Sequence, residues 1–479
     1  MPGSSRTAGP NGRRGLASTT LFTLERLLAA SGGRVVRGSA GPGLRFLGGA
    51  FDSRSIEPGE CFFALRDQRD GHDFVPAAFE HGAGAAVTER LVSGLPDDAL
   101  VIQVASPLHA LRALAESIRT EWPIPAIAIT GSVGKTTTKE ATAAALGARY
   151  RVLRTLASFN NEIGVPLTFL RQEPGHEVAV IELGFYVPGE IADLSKLVRQ
   201  RIGIVTTIPD IPVHFARTPN IDAIVDGKAE LIEALPEDGV AILNGDDPRV
   251  RAMGKRTQAR VMLFGEGADC EIRATNLRDG GLSGTAFTVQ AAGQTAEAHL
   301  PLPGRHLVSA ALAALGAAVV LDVPLDEAVI GLASLEHPAH RMSVRRKGDL
   351  TVIDDSYNSS PAAVHAALAV LREVRGRRVA VLGDMLELGT LSVGAHEAVG
   401  VDVAKSVDAL VVVGELAATI AASAERHGLR DVHRATDGGE ALVRLRQLLR
   451  PGDTVLVKGS RALGLDKLAD ALVRPDVEA

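Results

Sequence analysis

The chain has 479 residues, 46% hydrophobic and 23% charged, which is too long for one hydrophobic core and suits two to four domains. Lys and Arg number 51 against 57 Asp and Glu, a formal charge of −6, so no basic excess argues for nucleic acid or an anionic membrane. No apolar run reaches membrane-spanning length, and Cys61 and Cys270 stand far apart without metal-type spacing; a multidomain cytoplasmic enzyme in a reducing compartment is expected.

Residues 1–15 are rich in Gly, Ser, Pro and Arg with no uninterrupted apolar region behind them, which predicts a disordered tail and no signal peptide. From residue 16 to 122, short apolar runs alternate with turns, as where Phe51-Asp52-Ser53-Arg54 and Pro58-Gly59-Glu60 precede Cys61-Phe62-Phe63-Ala64-Leu65. A compact α/β unit with short strands fits. In Trp122-Pro123-Ile124-Pro125 two prolines force extended backbone and predict a linker.

The next stretch carries the strongest signal. Thr130-Gly131-Ser132-Val133-Gly134-Lys135-Thr136-Thr137 joins the apolar run Pro125–Ile129 to a helix-favouring run, Thr138–Leu146. Gly131 and Gly134 let the backbone turn its N–H groups inward, and the following helix adds the positive end of its dipole. Lys135 supplies a point charge for β/γ-phosphates and the Thr136 hydroxyl a ligand for Mg²⁺. The common form of this loop has a glycine where Ile129 stands, so this is a shorter variant.

Beyond it the chain alternates strand and helix, with strands expected at Ile127–Thr130, Val178–Leu183, Gly203–Thr207 and Val240–Asn244 in a parallel sheet buried on both faces. Glu182 closes one of them, where its carboxylate either holds Mg²⁺ beside the cradle or is simply solvated. His214 falls in an irregular loop, residues 208–220, and reads equally as a metal or phosphate contact and as a plain polar loop residue. Lys228 and Glu230 follow on a helix, where the residues alone support no functional claim. A β-rich insertion is expected from Val261 to Leu300, and an Ala/Leu-rich helix from Gly304.

From about His337 a second alternation begins, with strands expected at Leu350–Asp354, Arg378–Leu382, Ala409–Val413 and Thr454–Val457, the pattern of a separate doubly wound domain. Its strand ends carry Asp354-Asp355-Ser356-Tyr357-Asn358, Gly383-Asp384-Met385, Gly414-Glu415 and Lys458-Gly459-Ser460-Arg461.

Together these motifs resemble the Mur ligases of peptidoglycan synthesis. The resemblance rests on the phosphate loop with Lys139-Glu140, Asn160-Asn161-Glu162-Ile163-Gly164, Glu182-Leu183-Gly184 with Gly189-Glu190-Ile191, and Asp52-Ser53-Arg54 with Asp70-Gly71-His72-Asp73-Phe74. The last segment adds Asp354–Pro361, Val381–Gly389 and Val457–Arg461. The Asn-Asn-Glu-Ile-Gly and Gly-Asp-Met-Leu-Glu-Leu-Gly stretches match the branch that joins D-alanyl-D-alanine to UDP-N-acetylmuramoyl-tripeptide.

The resemblance implies an α/β fold of three domains: a UDP-sugar-peptide domain at 16–122, a central ATP-binding domain at 123–336 and a Rossmann-like ligase domain at 337–479. It implies a monomer that activates a carboxylate with ATP and Mg²⁺ through an acyl phosphate. ATP would meet Gly131, Ser132, Val133, Gly134, Lys135, Thr136 and Thr137, with His306, Arg341 and Asp355. Lys135, Glu182, His214 and Lys228 would serve catalysis, and Thr136, Glu182, His214 and a carbamylated Lys228 would hold Mg²⁺. Asp52, Ser53, Arg54, Asn160 and Asn161 would contact substrates, as would Tyr357, Asn358, Lys458 and Arg461.

The chain departs from the family pattern in three places. Gly304-Arg305-His306-Leu307-Val308-Ser309-Ala310 lacks both asparagines of the usual Gly-x-His-Asn-x-x-Asn, the loop from Thr206 to His214 is longer than usual, and Val133 stands where Asn or Ser is common. Two other readings therefore stay open: a diverged ligase joining a different acid and amine, and a non-catalytic nucleotide-binding protein.

Overall fold

The computed structural model describes residues 22–211, 218 and 220–474, so the expected tail at 1–15 and His214 lie outside the described residues. Two compact units divide the chain: one runs to Pro123 and takes in Glu162–His176, the other holds Ile124–Asn161 and everything from Glu177.

In the first unit, β1 (Phe22–Thr23) pairs antiparallel with β3 (Arg45–Phe46). A five-stranded sheet is ordered β2 (Arg34–Arg37), β7 (Val101–Gln103), β6 (Ala85–Thr88), β5 (Cys61–Phe63), β4 (Gly49–Ala50), parallel except at β2. Ser106 caps the helix Pro107–Glu121 by accepting from the His109 N–H, and Pro107 fits the first turn, where no N–H is needed. The helix Gly164–Phe169 packs against it, with Arg119 over the Phe169 ring at 5.0 Å and Gln172 donating to the Trp122 carbonyl at 2.6 Å. Residues 162–176, expected within the central segment, thus bury Val165, Leu167, Phe169 and Leu170 in the first unit.

The second unit contains two sheets. A nine-stranded sheet comprises β8 (Ala126–Thr130), β9 (Val152–Arg154), β10 (Val178–Glu182), β11 (Ile202–Val205), β12 (Val240–Asn244), β13 (Arg260–Gly265), β14 (Ile272–Asp279), β15 (Thr285–Ala291) and β16 (Gln294–Leu300). Its order is β16-β15-β14-β13-β12-β11-β8-β10-β9, parallel except for the two antiparallel pairings of β15. The β-rich stretch from Val261 to Leu300 therefore continues this sheet, joined through the β12–β13 pairing. Every residue of β8 and β10 is buried, as expected for parallel strands covered on both faces.

The remaining six strands are β17 (Ser343–Lys347), β18 (Leu350–Asp354), β19 (Arg378–Gly383), β20 (Ala409–Val413), β21 (Val432–Ala435) and β22 (Thr454–Lys458), ordered β17-β18-β22-β19-β20-β21 with only the edge strand β17 antiparallel. Alternation assigns residues to two cores: Ala380, Leu382, Leu410, Val412 and Leu456 face one, Val379, Val381, Val411, Val455 and Val457 the other. Mixed α/β structure built on parallel-rich sheets is the fold class the sequence predicts.

Candidate active site

The glycine turn is built by two positive-φ residues, Gly131 at +146° and Gly134 at +90°. A Cβ on Gly131 would collide with Thr206 Oγ1, so this position tolerates no side chain. The end of β11 anchors the turn: the Thr207 carbonyl accepts from the Ser132 N–H at 2.8 Å, and Thr206 Oγ1 donates to the Val133 carbonyl at 2.6 Å. Val133 is thus held by its backbone, which explains why an apolar residue is accommodated where the family pattern has a polar one. The helix Lys135–Leu146 starts at Gly134, and its first-turn N–H groups have no intrahelical acceptor.

Glu182 ends β10, next to β8, with its side chain almost fully buried. Thr136 Oγ1 donates to its Oε2 at 2.8 Å and Asn160 Nδ2 to its Oε1 at 2.8 Å. Asn160 is brought this close because residue 184 is glycine: a Cβ there would lie 2.8 Å from Asn160 Oδ1. Asn160, which the resemblance places with the substrate contacts, here fixes the carboxylate. Asn161 follows it, half-buried.

Two ammonium groups converge on the other side of the turn. Lys135 Nζ donates to the Gly131 carbonyl at 2.9 Å, and Lys228 Nζ donates to the same oxygen at 3.1 Å. Lys228 is fully buried in the helix Ile221–Glu233, its Nζ 4.7 Å from the Phe185 ring centre. Burial, and then the charge of Lys135, push its pKa well below the usual lysine range. Burial lowers Lys135 too, opposed by Glu182 and reinforced by the guanidinium of Arg341.

Arg341 lies 4.2 Å from the centre of the Tyr357 ring, and Arg461 donates to the Tyr357 hydroxyl at 2.8 Å. The same hydroxyl bonds Ser158 Oγ, in the loop that leads to Asn160. Lys458, buried at the end of β22, donates to Asp355 Oδ2 at 2.5 Å and to the Asn358 carbonyl at 2.9 Å. His306 is close enough to feel the charges of Asp355 and Lys458. Leu307 packs against the cores of both sheets and Ala310 is buried, so apolar packing has replaced the two missing asparagines.

Asp52, Ser53 and Arg54 belong to the first unit. There Arg54 grips Asp52 through two bonds, 2.9 Å to Oδ1 and 2.6 Å to Oδ2, holding that carboxyl below its usual range. Two contributors had no assigned role in the sequence reading. Lys139, completely buried, donates to the carbonyls of Thr155 and Ala157 at 2.7 and 2.8 Å and so fixes the backbone leading to Ser158 and Asn160. Phe185 covers Lys228. The lysine after the loop was a visible signal; the aromatic lid was not, because only the fold brings it there.

A strand, a glycine turn and a helix, with a carboxylate from the neighbouring strand on the first-turn hydroxyl, define an α/β enzyme of nucleotide-dependent phosphoryl chemistry. Residues 129–318 match the Mur ligase middle domain and residues 340–461 the glutamate ligase domain of Mur ligases. Over 432 residues the chain is 34% identical to UDP-N-acetylmuramoyl-tripeptide–D-alanyl-D-alanine ligase of Bacillus subtilis, covering 89% of this chain and 93% of that one. It is 35% identical to the Escherichia coli enzyme of the same name, covering 88% and 92%. A structure of MurF from Acinetobacter baumannii superposes with TM-score 0.82 at 30% identity, over 94% of this chain and 98% of that one. MurF ligase from Thermotoga maritima, in complex with ADP, gives TM-score 0.73 at 26% identity, over 89% and 98%. The chain belongs to the Mur ligase family and is an ATP-dependent, ADP-forming ligase. No helix among the described residues is long and apolar enough to cross a membrane.

Proposed function

We propose that this enzyme joins D-alanyl-D-alanine to UDP-N-acetylmuramoyl-tripeptide in the cytoplasmic stage of peptidoglycan synthesis, acting as a monomer. The observation that carries the ATP chemistry is the cluster of Lys135, Lys228 and Arg341 around the turn, where burial first, then the charge of Lys135, depresses the Lys228 pKa, and burial, then the charge of Arg341, depresses that of Lys135. Such an arrangement fits an anionic ligand that cancels their repulsion. The relatives' shared name supplies the acid and the amine.

In this reading residues 16–122 bind the UDP-sugar, with Asp52, Ser53 and Arg54 at the substrate; residues 123–336 bind ATP; and residues 337–479 present the dipeptide. A terminal carboxylate oxygen of the tripeptide attacks the γ-phosphorus, the bond to the bridging oxygen breaks, and ADP leaves an acyl phosphate. The dipeptide amine then attacks the acyl carbon, inorganic phosphate leaves, and the nitrogen loses its proton.

Lys135 and Arg341 lower the repulsion between the two anions as they approach. The N–H groups of Gly134 to Thr137 orient the phosphates. Thr136 and Glu182 offer a hydroxyl and a carboxylate, hard oxygen donors that suit Mg²⁺, and Asn160 keeps the carboxylate turned toward them. Bound there, Mg²⁺ would neutralise charge developing on the phosphate oxygens. A neutral Lys228 amine, which its burial favours, can add to CO₂ and lose a proton, giving a carbamate as a further oxygen donor. His306 and Asp355, with Lys458, Arg461, Tyr357 and Asn358, would line the side from which the amine arrives.

The test is incubation with Mg-ATP, UDP-N-acetylmuramoyl-tripeptide and D-alanyl-D-alanine, with ADP and the pentapeptide product measured together. ADP formed only with another acid or amine would favour a diverged ligase, the reading that the apolar Leu307 and Ala310 keep in play.

A further inference from the structure

Arg341 is flanked by two residues in the left-handed region, His340 at φ +59° and Met342 at φ +50°, a conformation that non-glycine residues hold only when neighbours enforce it. Two adjacent carboxylates enforce it. Asp354, buried at the end of β18, accepts from His340 Nδ1 at 2.8 Å, while Asp355 Oδ1 accepts from the Met342 N–H at 3.1 Å. The residues before and after Arg341 are thus each gripped by one of the pair, and the His340 carbonyl takes the Tyr357 N–H at 3.1 Å.

Asp354 is itself locked. Its Oδ2 also accepts from Arg345 at 2.6 Å, its Oδ1 from Ser356 Oγ at 2.6 Å, and Arg345 reaches on to Asp470 at 2.6 Å. His340, Asp354 and Asp470 bring ligand atoms within 4.8 Å of one another, but the Arg345 guanidinium bridges the two carboxylates, so the cluster is an ion-pair lock rather than a metal centre.

We propose that Asp354, acting through His340, is a positioning residue for nucleotide binding: it holds the left-handed turn that lays Arg341 on Tyr357 beside Lys135. The proposal rests on the reading that Arg341 meets the nucleotide. A flexible arginine free to leave the site would lose preorganisation, and its contribution would fall with it.

The experiment measures KM for ATP, kcat and melting temperature for Arg341→Ala, Asp354→Ala and the double variant, in the full-length enzyme. Arg341→Ala should raise KM for ATP about tenfold; no change would remove the nucleotide reading of Arg341, and the proposal with it. Asp354→Ala should raise KM for ATP severalfold, leave KM for the dipeptide unchanged, and add nothing in the double variant. An unchanged KM for ATP, or an additive double variant, would overturn the positioning role while leaving Arg341 at the nucleotide. Should Asp354→Ala fail to fold, His340→Gly removes only the tether, since glycine accepts the left-handed backbone, and must show the same rise and the same non-additivity. Asp354→Asn, which keeps an acceptor for His340, should recover part of the affinity.

Discussion

Lys135 and Lys228 donate to one carbonyl oxygen, that of Gly131, at 2.9 and 3.1 Å. Burial first, and then the nearby charge of Lys135, disfavours a charge on Lys228, and the site is suited to receive an anion. Lys135 is the more accessible of the two. Lys135→Ala is expected to abolish ADP formation while leaving the melting temperature within a few degrees of the parent, because the side chain contributes little to the core. Near-normal turnover in this variant would disprove the phosphate role.

Lys228 titrates in the opposite sense to a salt-bridged lysine. Its folded-state pKa lies well below the unfolded value, so the unfolded chain binds the extra proton, and its contribution to stability grows as pH rises from the depressed pKa toward the unfolded value of about 10.4. Lys228→Met should therefore raise the melting temperature at neutral pH, about 2–4 °C for each kcal/mol, and flatten its rise between neutral and alkaline pH. Turnover should be lost. With ¹³C-bicarbonate, the parent should show a carbamate carbon resonance that the variant lacks; an identical spectrum from both would rule out carbamylation.

Glu182 offers a separate handle on the proposed metal. Glu182→Gln keeps the shape and an oxygen for the Thr136 hydroxyl, but removes the charge. The Mg²⁺ concentration needed for half-maximal rate should rise at least tenfold, with kcat down about 10²-fold or more at saturating Mg²⁺. An unaltered Mg²⁺ dependence would take Glu182 out of the metal site.

The sequence shows this half of the site because its residues lie at the ends of strands that read as strands on their own. β8, β10 and β12 are apolar runs buried on both faces, and the expected boundaries for β12, β18 and β20 coincide with those found. The edge strands β17 and β21 escape notice, since Arg345, Arg346 and Lys347 in one and His433 and Arg434 in the other give no apolar pattern. Residues 162–176 read as central because they follow the loop in sequence; Val165 and Phe169 are buried in the first unit instead, a tertiary preference that periodicity does not carry. The bond from Asn160 to Glu182 depends on the missing side chain of Gly184, and such a close approach is legible only in three dimensions.

Gly227 supplies the last case, again through an absent side chain. A Cβ there would overlap Phe185 Cε2 and lie 2.6 Å from Cζ, so only glycine allows the ring to lie against the helix and cover Lys228. Gly227→Ala should force Phe185 aside, admit water to the amine and raise the Lys228 pKa, since desolvation is the first cause of its depression. In a helix interior alanine is otherwise favoured over glycine by about 1 kcal/mol, so a loss of stability here would report the clash alone. Gly227→Ala combined with Phe185→Ala should relieve the clash without regaining turnover, because the amine stays wet. Full turnover in the double variant would show that Phe185 is packing only and plays no part in depressing the Lys228 pKa.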